Sequence, residues 1–229
     1  MSMFRTTRWS LIAAARDTPS RARDALEQLC QTYRPPVLAY IRHSGYGHDA
    51  EDLTQTFFLR FIERGWYAEA DPRRGSFRAL MLTALRHFLS DQYERAGALK
   101  RGGRAVESES PLGLIADDGE SPEDAFMKAW LGTVLAHAMQ RLEEEWTDAG
   151  KLDQFKQLAP LLLERAEGDE LRAIASANGL RTNTLAVQVH RMRQRLRQLV
   201  RLELLQTVGS PEALERELAE LRGALDEMA

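Results

Sequence analysis

Residues 171–200 read LRAIASANGLRTNTLAVQVHRMRQRLRQLV. Leu171, Ile174 and Ala175 recur at the three- and four-residue spacing of one helical face. Asn178-Gly179 supplies a residue able to take the left-handed conformation that ends a helix. Leu180 is then placed to plug the core between this helix and the next. Thr182 is a capping residue type, and Leu185, Val189, Met192 and Leu196 mark the buried face of a second helix. Ala173, Ala175 and Ala177 let the two helices approach closely. Such a pair is a helix-turn-helix, whose second helix lays its N-terminal end in the DNA major groove.

Charge agrees. No acid stands between Glu170 and Glu203, whereas Arg172, Arg181, Arg191, Arg193, Arg195, Arg197 and Arg201 all do. The whole chain carries a net charge of −3, so an Arg-rich, acid-free stretch is the footprint of phosphate contact. A solvated basic face, or a hairpin packed on an acidic partner, is the blander alternative. On the exposed face Arg181, Thr182, Asn183, Thr184 and Gln188 are candidates for base edges, and His190 and Arg191 for phosphates.

Working outward, nearly every segment has helical period and none alternates as a strand. Ala25, Leu26, Leu29, Tyr33, Val37, Leu38 and Ile41 form one face between Arg23 and Arg42, with Pro35 and Pro36 expected to interrupt or kink it. Ser44-Gly45-Tyr46-Gly47 is a turn. A helix over about 49–64 turns Leu53, Phe57, Phe58, Phe61 and Ile62 inward, with Asp49, Glu51 and Asp52 in the first turn where the helix dipole favours acids. Another spans about 76–95, its stripe being Phe77, Leu80, Met81, Ala84, Leu85, Phe88 and Leu89. Residues 97–124 are rich in Gly, Ser and acids and read as a linker. Ser121-Pro122-Glu123-Asp124 opens a further helix, with Ser at the cap and Pro just inside. Helical pattern then runs to about Val208, and Gly209-Ser210-Pro211-Glu212 opens a last helix with Leu214, Leu218, Leu221 and Leu225 on one seam.

The expectation is an all-α chain of two small helical domains joined by a flexible linker: 1–96, linker 97–124, 125–208 carrying the helix-turn-helix, and an extension over 209–229. The leucine seam of the extension needs a cover. Folding back on the 125–208 domain is the expected arrangement, with a regulator or a second copy as alternatives.

Other classes are poorly served. With 229 residues, 44% hydrophobic and 28% charged, the chain is neither disordered nor long enough for many domains. No apolar run approaches the ~18 residues of a membrane span, and Met1 to Trp9 lacks a signal-peptide pattern. His43, His48, His87, His137 and His190 are scattered, no Gly-rich phosphate loop occurs, and Cys30 sits in an apolar stripe without an evident base. No metal, cofactor or catalytic residue is expected, and the single cysteine suits a reducing cytoplasm.

The helix-turn-helix resembles region 4 of sigma-70 factors: Gly179-Leu180, Thr184-Leu185, Val189-His190-Arg191, Arg193 and Arg195-Leu196 follow that pattern, while Arg181 and Asn183 depart from it. Independently, Asp49-Ala50-Glu51-Asp52-Leu53-Thr54-Gln55 resembles the opening of the region 2 helix that docks on polymerase. Asp71-Pro72, Arg74 to Ala79, Thr83, Arg86, Asp91 and Arg95 are similar to the segment that opens and reads the −10 element. Two matches in the right order point to the small extracytoplasmic-function (ECF) branch.

The resemblance implies a promoter-specificity subunit, not an enzyme, whose partners are the RNA polymerase core (clamp coiled coil and flap) and promoter DNA. A Ser/Thr kinase or an anti-sigma factor would be its regulators. Asp49, Glu51, Asp52, Gln55 and Thr56 would bind the core. Trp66, Tyr67, Phe77, Arg78, Arg86 and His87 would meet the −10 element, with Phe77 equally readable as core. Arg181, Thr182, Asn183, Thr184, Gln188, His190 and Arg191 would meet the −35 element. A helix-turn-helix regulator that never joins the polymerase is the alternative function. Where the family usually has an acid, this chain has Thr56, one turn after Asp52. Phosphorylation would restore negative charge, so Thr56, and after it Thr54, is a candidate switch. A tolerated neutral substitution is the alternative.

Overall fold

The structure, a computed structural model, describes residues 19–69, 71, 75–100, 120–163, 168–177, 179, 181–208 and 210–227. Among these the regular structure is entirely helical: α1 (Pro19–His43), α2 (Ala50–Glu63), a 3-10 turn (Trp66–Glu69), α3 (Phe77–Lys100), α4 (Pro122–Asp148), α5 (Leu152–Leu158), α6 (Pro160–Leu163), α7 (Gly168–Ala177), α8 (Thr182–Leu205) and α9 (Pro211–Glu227). The all-α expectation holds.

Local chemistry explains most boundaries. α1 continues through Pro35 and Pro36 rather than breaking there. Each proline removes an amide donor, but Tyr33, Pro36, Val37, Tyr40 and Ile41 are buried around them, and packing outweighs the local penalty. The helix ends where Ser44 Oγ donates to Tyr40 O at 2.8 Å and Gly45 takes φ +83°. Ser121 caps α4: its Oγ accepts from Asp124 N at 3.1 Å and donates to Asp124 Oδ2 at 2.6 Å. At its other end Gly150, φ +70°, gives a Schellman close, with Gly150 N donating to Thr147 O at 2.9 Å and Lys151 N to Trp146 O at 2.8 Å. The same Ser-Pro-Glu start recurs at α9, where Ser210 Oγ accepts from Ala213 N at 3.2 Å.

The chain forms two compact units. Unit 1 comprises the residues to Thr133 and those from Leu205 on; unit 2 comprises Val134–Leu204. Unit 1 has an aromatic core in which the rings of Tyr33 and Phe77 lie 5.1 Å apart, Phe57 and Phe88 5.5 Å, and Phe61 and Phe77 6.3 Å, all edge to face, the preferred arrangement of aromatic quadrupoles. Unit 2 is built on aliphatic residues: Leu142, Leu158, Leu161, Leu162, Leu185, Val189, Met192, Leu196 and Leu199, with Phe155.

These units divide the chain elsewhere than at residues 96, 124 and 208. The first turns of α4 belong with unit 1, where Phe126 meets Tyr40 at 6.4 Å. The stretch 101–119 of the expected linker lies outside the described residues, while 97–100 continue α3 and 122–124 begin α4. The extension groups with the first unit rather than with the 134–204 unit that carries the helix-turn-helix. α9 belongs to unit 1, because Glu217 forms a buried ion pair with Arg78 at 2.7 Å.

Candidate nucleic-acid and partner-binding faces

In unit 2, α7 ends at a turn in which Gly179 takes φ +64° and its N donates to Ser176 O at 3.1 Å. Arg181, not Thr182, takes the cap position: its carbonyl accepts the first helical bond, from Leu185 N at 3.0 Å, and Thr182 is the first helical residue. Ala175 and the stripe Leu185, Val189, Met192, Leu196 and Leu199 are buried as the periodicity requires. Leu180 and Asn178 lie outside the described residues.

Burial of that stripe turns Arg181, Asn183, Thr184, His190 and Arg191 outward, all exposed, with Thr182 and Gln188 half-buried. Gln188 Oε1 accepts from Gln154 Nε2 at 3.5 Å. Val187, 50% exposed, shares this face with Thr184 and Arg191 and was missed by the sequence reading. The available signal was its three-residue offset from Thr184, away from the buried stripe.

The arginines are not equivalent. Arg193 Nη2 donates to Leu161 O at 2.6 Å. Arg195 grips Glu145 with Nε and Nη2 at 2.9 and 2.6 Å, and that hydrogen bonding raises its already high pKa. Arg191 and Arg197 remain exposed. The basic stretch thus divides into arginines that tie α8 to α4 and α6, and arginines that face outward. A buried carboxylate, Glu203, accepts from Arg141 Nη1 at 3.1 Å with His137 Nδ1 at 3.9 Å.

In unit 1, Asp49, Asp52 and Gln55 are exposed and Thr56 is half-buried. Asp49 precedes α2 without making a side-chain cap, so its carboxylate stays on the surface. Glu51 is engaged inside the unit, paired with Arg34 and with Arg42 at 3.2 Å. Thr54 is buried and its Oγ1 donates to Ala50 O at 2.7 Å.

The residues expected to meet opened DNA do not form one exposed face. Phe77 is fully buried between Tyr33 and Phe61. Arg78 is buried too, its Nε and Nη2 on Glu217 at 2.7 and 3.1 Å. Trp66 and Tyr67 are half-buried against Phe61 at 6.2 and 6.4 Å. Arg86 and His87 are exposed, and Arg86 pairs with Glu123 at 3.0 Å, which raises its pKa further. Phe77 is therefore a core residue here, and Arg78 is covered by α9. Among the described residues no cluster of His, Cys, Asp or Glu is arranged to hold a metal ion, and no helix is long and apolar enough to cross a membrane.

A helical unit with an acidic first turn on α2 and a helix-turn-helix unit with an outward polar and cationic face make this an all-α protein of two helical units. Residues 29–98 match the Sigma-70 region 2 family. The chain is 26% identical over 160 residues to the ECF RNA polymerase sigma factor SigE of Mycolicibacterium smegmatis, a match covering 70% of this chain and 54% of that protein. The chain thus spans about half the length of the curated relative it matches. No solved structure matches. Over these stretches the chain is similar to sigma-70 factors of the ECF branch.

Proposed function

We propose that this protein is a sigma factor that directs RNA polymerase core to specific promoters and initiates transcription in the cytoplasm, and is not itself an enzyme. The observation that carries the reading is the pairing, in one chain, of a sigma-70 region 2 match over 29–98 with an outward face of Arg181, Asn183, Thr184, Val187, His190 and Arg191 on the second helix of a helix-turn-helix. Unit 1 is the region 2 body, binding core through Asp49, Asp52, Gln55 and Thr56. Unit 2 is region 4, gripping the −35 element.

Thr56 is the regulatory position in this reading. It follows Asp52 by one turn on the same side of α2 and is half-exposed, whereas Thr54 is buried. A phosphate on Thr56 adds about −1.5 to −2 charge beside Asp52, and each charge-assisted bond it gives to a basic partner is worth about 1–3 kcal/mol.

The test is reconstituted transcription with core polymerase, comparing unmodified chain with Thr56→Glu on a genomically mapped promoter. Activity from Thr56→Glu alone supports both the sigma assignment and the switch. Equal activity keeps the assignment and removes the switch. Absence of activity and of core binding from both points to a regulator that uses its helix-turn-helix without joining the polymerase.

A further inference from the structure

The C-terminal segment engages the start of α3 at adjacent donors. Thr207 O, fully buried, accepts from Phe77 N at 3.2 Å, taking one of the amides that a helix N-terminus otherwise leaves without an intrahelical partner. One residue on, Glu217 of α9 takes Arg78 in a two-point grip at 2.7 and 3.1 Å. Both side chains of this pair are nearly sealed from solvent, at 7% and 5% exposure. The Arg78 guanidinium also lies 5.5 Å from the centre of the Trp130 ring, and Val208 and Leu214, in the same C-terminal segment, are buried.

Carboxylate and phosphate are interchangeable ligands for this arrangement. A guanidinium presents the same planar fork to either, and a helix-start amide favours either anion. A buried ion pair adds little net stability compared with an apolar contact of the same shape, and its best-attested use is to specify a register or a switch. Arg78 also stands in the segment that, on the reading above, meets opened promoter DNA. We propose that α9 is an intramolecular lock: Glu217 occupies Arg78 in place of a nucleic-acid phosphate, so that single-stranded DNA and α9 compete for the start of α3. This rests on the sigma-factor reading of unit 1. It explains why a chain built to hold melted DNA buries a cation where that DNA should lie. It also gives the segment after α8 a task within unit 1.

The experiment uses the full chain and a short fluorescent single-stranded oligonucleotide of random sequence. In the unmodified chain, saturating oligonucleotide removes hydrogen-exchange protection from amides 212–219. Protection that survives saturation overturns the competition. Glu217→Gln tightens oligonucleotide binding by at least about fivefold, and adding Arg78→Ala to that variant abolishes the gain. Equal or weaker binding by a folded Glu217→Gln chain overturns the lock. If Glu217→Gln fails to fold, the exchange measurement on the unmodified chain decides alone. Core binding and promoter transcription by the unmodified chain separate the layers. A chain that transcribes but shows no competition loses the lock and keeps the sigma reading. One that binds neither core nor oligonucleotide loses both.

Discussion

Thr54 and Thr56 stand on one helix and meet opposite surroundings. Thr54 is buried with its hydroxyl committed to Ala50 O, while Thr56 is half-exposed. Thr54→Glu is expected to destabilise the chain by several kcal/mol, because it buries a carboxylate without a partner. Thr56→Glu should change stability by no more than about 0.5 kcal/mol. Urea denaturation of the two variants checks this, and equal losses would contradict the assignment of the modifiable residue. Cys30 and Tyr40 give a second test at this scale. Burial pushes the Cys30 thiol up to about 11 from 9.0. Burial, and then the neighbouring Glu123 carboxylate, push Tyr40 up to about 12 from 10.0. Both groups are neutral in folded and unfolded chain at neutral pH. At alkaline pH the unfolded chain ionises first, so stability present at neutral pH falls as pH rises from about 8 toward 12. Melting temperature measured across that range should decline, and Cys30→Ser with Tyr40→Phe should flatten the decline.

At the scale of elements, α8 separates arginines that face outward from arginines that brace. Arg191→Ala is expected to weaken DNA binding roughly uniformly across sequences and to lower the salt-dependence slope by about one, leaving stability unchanged. Arg195→Ala is expected to do the reverse, since its two-point bond to Glu145 ties α8 to α4. Fluorescence titrations at several salt concentrations, paired with thermal melts, distinguish the two. The same helix carries Glu203, buried beside Arg141. Glu203→Ala removes the hydrogen bond to that partly exposed cation and should cost about 1–3 kcal/mol, read as a lower urea midpoint for unit 2.

At the scale of the whole molecule, the residues after α8 belong with unit 1. Truncation after Val208 should therefore raise the hydrogen-exchange rates of amides 77–81 at the start of α3, while amides 185–199 in the helix-turn-helix keep theirs. Accelerated exchange in α8 alone would mean that α9 covers unit 2 after all. Glu217→Gln should reproduce the effect on α3 without removing any backbone.

The helices and the outward face of α8 were legible in the sequence because their causes are local. A buried stripe at 185, 189, 192 and 196 fixes which residues of α8 face outward, a left-handed glycine at 179 fixes where α7 stops, and Ser121-Pro122 and Ser210-Pro211 fix where α4 and α9 begin. Those signals act over a few residues, so periodicity and cap chemistry suffice to read them. The exceptions were tertiary. Two prolines fail to break α1 because buried neighbours outweigh the missing amides. Arg193 and Arg195 look like phosphate contacts until Leu161 O and Glu145 appear beside them. The largest departure, Arg78 covered by Glu217, joins residues 139 positions apart. No local pattern encodes such a pair: the sequence shows that α9 has a seam to bury and that α3 has a cation, and only the folded chain decides that one covers the other.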